Sequence, residues 1–130
     1  MHLVYIVMGL ALVQYMYFAI AVGGARGRFG VKAPATSGHE VFERYFRVQM
    51  NTLELIVVLM PALPLFAYYV DANIAAGLGL VYIIGRFMYF RGYVTDPAKR
   101  GPGFGLSLLP IAVLLLGGII GATLRLIHSS

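Results

Sequence analysis

LVYIVMGLALVQYMYFAIAVGG, residues 3–24, decides what kind of protein this is. Twenty-two residues pass without a charged side chain. A helix of about 20 apolar residues crosses the hydrocarbon core of a bilayer, so this stretch reads as a transmembrane span. The triplet Ala19-Ile20-Ala21 has the look of a signal-peptide cleavage site. However, no basic residue precedes the apolar core, and that core is long for a signal, so an uncleaved span is expected.

Three more apolar stretches follow: Tyr45 to Val70, Ile74 to about Tyr93, and Phe104 to Ile127. Pro61 and Pro64 interrupt the second, where a kink is expected near its far end, and Pro110 lies inside the fourth. Only Asp71, Ala72 and Asn73 separate the second and third, which therefore form a tight antiparallel hairpin. Gly77, Gly79, Gly85, Gly117, Gly118 and Gly121 lie in the last two spans, where small residues let helices approach closely in lipid. The expected fold is an all-α membrane protein, a single domain over residues 1–130 built as a bundle of four transmembrane helices.

Composition agrees. Of the 130 residues, 60% are hydrophobic and 12% charged, against about 25% charged in soluble domains. A net charge of +5 can point to nucleic acid, but so apolar a chain has too little polar surface for it, so anionic lipid or an anionic small molecule is the expected partner. The chain has no cysteine, which excludes a disulfide framework, a thiolate metal site and a cysteine nucleophile. His2, His39 and His128 lie far apart, and no metal site is expected.

Of the ten Lys and Arg residues, Arg26, Arg28, Lys32, Arg44, Arg47, Arg86, Arg91, Lys99 and Arg100 all fall at one end of the bundle, and only Arg125 at the other. The positive-inside rule places the two links, about 25–44 and 91–103, in the cytoplasm and both termini on the opposite side.

Charged groups inside a span are costly and usually face protein or water. Arg47, Asn51 and Glu54 are spaced i, i+4, i+7 and share one helical face, as do Arg86, Tyr89 and Tyr93, with Tyr82 a turn earlier. Both stripes lie at the basic end of their helices, with Arg26 at the same depth and Lys99 and Arg100 in the following link. Guanidinium forks suit carboxylates, Glu54 suits an ammonium, and tyrosines add hydroxyl donors. A small peptide with two carboxylates and one amine, such as glutathione, matches this inventory. An internal network in which Glu54 neutralises Arg86 or Arg47 matches it equally well, and spacing alone does not choose.

The run Phe42-Glu43-Arg44-Tyr45-Phe46-Arg47-Val48-Gln49-Met50-Asn51-Thr52-Leu53-Glu54 closely resembles the second-helix signature of the MAPEG superfamily, membrane-associated proteins in eicosanoid and glutathione metabolism. Gly79-Leu80-Val81-Tyr82, Gly85-Arg86 and Tyr89-Phe90-Arg91-Gly92-Tyr93 resemble its third helix. The match is closest over residues 42–103 and points to the microsomal glutathione transferase and leukotriene C synthase members. The resemblance implies a homotrimer that binds glutathione between adjacent subunits. It implies that Arg47 binds a glutathione carboxylate and that Asn51 and Glu54 hold its polar groups, Glu54 near the amine. It further implies contacts from Gln49, Tyr89, Tyr93 and, from helix one, Arg26, with Arg100 stabilising the thiolate. The implied activity is glutathione S-transfer to a lipophilic electrophile entering from the bilayer, with peroxidase activity also compatible. A non-catalytic lipid-presenting member of the superfamily is the alternative, and the full glutathione set argues against it. Leu55, Gly27 and Met88 depart from the leukotriene synthase, which has a tyrosine and two arginines there, and weaken any claim to its substrate.

Overall fold

The computed structural model describes residues 1–129. It consists of four long helices: α1 (His2–Phe29), α2 (Glu40–Tyr69), α3 (Ala72–Thr95) and α4 (Gly101–Ser129), with a 3-10 turn over Pro97–Arg100 leading into α4. All four are long and apolar enough to cross a membrane. The chain is an integral, multi-pass, all-α membrane protein.

The helices overrun the apolar stretches because their ends are held by polar groups. Nδ1 of His39 accepts from the Val41 amide (3.1 Å) and starts α2. Oδ1 of Asp71 accepts from the Ile74 amide (2.9 Å) and starts α3. Such side-chain acceptors satisfy first-turn amides that have no partner inside the helix. Gly30 ends α1 in the left-handed region (φ 68°), a conformation that costs glycine least. α2 stays helical through Pro61 and Pro64, and α4 through Pro110.

Inside the bundle, Val4, Val7 and Ala11 of α1 meet Leu59, Leu63 and Phe66 of α2, Ala75, Ala76 and Tyr82 of α3, and Ile111 and Leu114 of α4. The outer surface is equally apolar: Ile20 is 69% exposed and Leu109 65%, and Ile6, Val57 and Ile120 also face outward. A monomer in water rarely exposes so much continuous apolar surface, whereas lipid tails solvate it.

The α3–α4 crossing positions the site. A Cβ on Gly85 would come within 2.7 Å of the Leu106 and Ser107 backbone, and one on Gly103 would overlap the Tyr89 backbone. The two helices thus touch main chain to main chain at the basic end. Gly79, Gly117, Gly118 and Gly121 sit at close contacts too, mostly against side chains such as Leu63, Phe66 and Leu65. Gly77 departs from that group, since nothing lies within 4 Å of a Cβ there.

Candidate functional site

At the basic end, α2, α3, the 3-10 turn and the start of α4 enclose a groove of about 380 Å³. Arg47, Asn51 and Glu54 line it from α2, Tyr89 and Tyr93 from α3, Arg100 from the turn and Phe104 from α4. Helical periodicity supplies the α2 wall. On the α3 wall, Tyr89 and Tyr93 stack with ring centroids 5.5 Å apart, and Phe104 approaches Tyr89 at 6.1 Å. The third wall depends on Gly92, whose Cβ would lie 2.9 Å from the Lys99 carbonyl oxygen. That missing side chain lets the turn fold back on α3 and carries Arg100 to the groove.

A second cavity of about 460 Å³ adjoins the first on the link side, lined by Thr36, Glu40, Glu43, Arg44, Phe46, Arg47, Tyr93 and Pro97. Arg47 and Tyr93 belong to both and form the wall between them. Arg44 is committed there: it pairs with Glu40 (2.9 Å) and donates to the carbonyls of Val94 and Thr95, tying α2 to the end of α3.

An ion-pair network does not account for the polar stripes. Among the described residues the one ion pair is Arg44 with Glu40. Glu54 is exposed in the groove. Arg86 is fully buried, yet its neighbours are neutral. Nε donates to Ser107 Oγ (2.9 Å), and Nη1 donates to Asn51 Oδ1 (2.8 Å) and Thr52 Oγ1 (3.1 Å). The guanidinium also lies over the Tyr89 ring, 4.3 Å from its centroid. Arg100 Nη1 makes one long hydrogen bond, to the Pro97 carbonyl (3.3 Å), so the groove retains two guanidinium groups with no carboxylate partner among the described residues, a carboxylate, an amide and two tyrosines. Such a set holds an anionic peptide with an ammonium group.

Of the eight sequence-derived candidates, the fold gathers Arg47, Asn51, Glu54, Tyr89, Tyr93 and Arg100 around one groove. Arg26 and Gln49 do not line it. Arg26 donates to the Ala35 carbonyl (2.6 Å) and lies over Phe42. Gln49 is two residues from Arg47, which turns it to another face of α2. Two contributors went unread in the sequence. Phe104 follows Arg100 by one helical turn, a spacing that places both on one side. Ser107 is a hydroxyl inside an otherwise apolar span, a signal in itself. Among the described residues no three His, Asp or Glu side chains gather as a metal site.

The MAPEG family model matches residues 4–120. An uncharacterized protein of Synechocystis is 44% identical over 115 residues, covering 88% of this chain and 84% of that protein. Human microsomal glutathione S-transferase 2 is 43% identical over 112 residues, covering 86% of this chain and 76% of the relative. Bovine leukotriene C4 synthase is 34% identical over 91 residues, covering 70% and 61% respectively.

Proposed function

Because the chain belongs to the MAPEG family, we propose that it is a membrane-bound glutathione transferase that joins the glutathione thiolate to lipophilic electrophiles. The observation that carries this reading is the groove itself. Its lining combines Arg47 and Arg100 with Glu54, Asn51 and two tyrosines. Relatives named as a glutathione transferase and a leukotriene C4 synthase support glutathione as the peptide.

In this mechanism Arg47 and Asn51 take carboxylate oxygens and Glu54 takes the ammonium. The thiol lies toward Arg100. A free thiol has a pKa of about 8.5 and is mostly protonated at neutral pH. A guanidinium in hydrogen-bond reach favours the thiolate, so its proton leaves to solvent. The sulfur then attacks an electrophilic carbon, forming an S–C bond as a leaving group departs with its electron pair. The electrophile arrives sideways from lipid past Phe104. Peroxide reduction with glutathione suits the same thiolate.

Arg26 and Gln49 fit this reading if a neighbouring copy brings them to the groove. We therefore assign the working form as a homotrimer with glutathione bound between subunits, the groove facing the cytoplasm and both termini on the opposite side of the membrane.

Calorimetry of glutathione binding to detergent-purified protein tests the reading, followed by turnover with chlorodinitrobenzene. Binding in the parent that is lost in Glu54→Gln is the expected result. A folded parent that binds no glutathione removes the transferase assignment. Arg100→Ala should bind glutathione but lose the ultraviolet thiolate absorbance at neutral pH; retained absorbance would take Arg100 out of the chemistry.

A further inference from the structure

Arg86 is a buried cation with no carboxylate beside it, set directly behind the groove, and the chemistry above makes no use of it. Its partners determine what it does. Ser107 Oγ donates to the Gly103 carbonyl (2.7 Å) and Thr52 Oγ1 to the Val48 carbonyl (2.7 Å). Each hydroxyl has one proton, already committed to its own helix, so toward Arg86 each acts only as an acceptor. The guanidinium has donors and no acceptor. Asn51 must therefore offer its carbonyl oxygen to Nη1; a flipped carboxamide would set NH₂ against N–H. With Oδ1 held at 2.8 Å from Arg86, the NH₂ of this groove-lining residue is the end left for a ligand.

We infer that Arg86 is a positioning residue that fixes the orientation of the Asn51 carboxamide, so that the groove presents an N–H donor where a ligand carboxylate binds. The proposal rests on the glutathione reading for its ligand. Without Arg86 the Asn51 side chain is free to rotate and to offer its carbonyl oxygen, which a carboxylate avoids. Ser107 and Thr52 hold the guanidinium from α4 and α2, so three helices set one amide.

A double-variant cycle tests this, with glutathione affinity measured by calorimetry in the parent, Arg86→Met, Asn51→Ala and the double variant. Asn51→Ala should weaken binding about tenfold, in the range for a hydrogen bond to a charged group. Arg86→Met should weaken it about fivefold, and the double variant should bind within about twofold of Asn51→Ala alone, because Arg86 acts through Asn51. Losses that multiply in the double variant would overturn the proposal. A merely structural Arg86 would lower the unfolding temperature equally in both backgrounds without this non-additivity. If Arg86→Met does not reach the parent's gel-filtration profile, Arg86→Gln replaces it in the cycle, since its amide nitrogen corresponds to Nε, which serves Ser107, and the shorter side chain has no counterpart of the Nη1 that holds Asn51.

A parent that binds no glutathione sinks the ligand reading but still leaves the orientation measurable. Asn51 and Asn73 are the two asparagines of the chain, so asparagine-selective ¹⁵N labelling gives two side-chain amide pairs. The Asn51 pair should be rigid in the parent and mobile in the Arg86 variant, with Asn73 unchanged. An Asn51 pair equally rigid in both would overturn the inference.

Discussion

The two ends of the bundle handle charge in opposite ways. At the basic end, Arg47, Glu54 and Arg100 stand around a groove. At the far end, each charge in the turn and last helix is occupied by the fold. Asp71 caps α3, and Arg125 lies over the rings of Tyr68 (5.3 Å) and Tyr69 (5.1 Å), which themselves pack edge to face. Membrane topology explains why basic residues collect on one side. It does not explain why, among the described residues, Arg47 and Arg100 at the groove pair with no carboxylate, Arg100 making only a 3.3 Å bond to the Pro97 carbonyl. Residues that merely mark orientation can pack on rings or caps as at the far end, so the open groove is the feature that calls for a ligand.

The largest expected effect breaks the two ends apart directly. Arg47→Ala should weaken glutathione binding by roughly 10- to 100-fold, the range for a lost charge-assisted hydrogen bond. Arg125→Ala, at the tyrosine cluster, should leave the affinity within about twofold. Equal losses in calorimetry would mean that the two ends are coupled through the bundle and do not divide binding from structure.

The next effect concerns packing. At the basic end Gly103 abuts the Tyr89 backbone, whereas at the far end Gly118 meets the Leu65 side chain at 2.7 Å, with the Phe66 amide nitrogen farther off at 3.3 Å. Backbone cannot swing aside, and overpacking of this kind costs about 1–3 kcal/mol. Gly103→Ala should therefore lower thermal stability in detergent more than Gly118→Ala, and it should also lower glutathione affinity, because Tyr89 would be displaced. A Gly103→Ala protein with parental stability and affinity would show that the α3–α4 contact has slack.

The four spans and the two polar stripes were legible in the sequence because both follow from local rules: length without charge, and helical period. The stripe Arg47, Asn51, Glu54 needs only a continuous α2 to face one way. The partners of Arg86 were not legible. The sequence offers Glu54 as its obvious counter-charge, but the guanidinium reaches Ser107, 21 positions along the chain, and Asn51 and Thr52, 35 and 34 positions back. Which of these groups meet is set by how α2, α3 and α4 pack, not by spacing within any one of them. The same holds for the glycines. In a helix apolar all round, Gly77 and Gly79 look alike, yet Gly79 packs against Val7 and Leu63 while Gly77 faces outward. Polarity marks a helix face only when the opposite face differs, and in lipid it does not.

At the far end, Asp71→Ala should cost about 1 kcal/mol through loss of the α3 cap. Because the groove lies at the other end, glutathione affinity should be unchanged. Thermal unfolding and calorimetry on the same sample separate the two quantities. A fall in affinity would place the α2–α3 turn in communication with the site.

The smallest effect tests how the outer surface is used. Gly77 has open space around its Cβ direction and ordinary helical backbone, so Gly77→Ala removes chain entropy from the unfolded state without a clash. Alanine is also the better helix former by about 0.8–1.0 kcal/mol in water. In a span whose backbone is already hydrogen-bonded internally, the gain should be smaller, about 0.5 kcal/mol, seen as a modest rise in unfolding temperature with the assembly unchanged. If the substitution instead lowers stability and shifts the protein to smaller species on gel filtration, Gly77 is a subunit contact. The far end would then be committed to assembly, and the contrast between the ends would sharpen into one between an end that binds ligand and an end that binds its own copies.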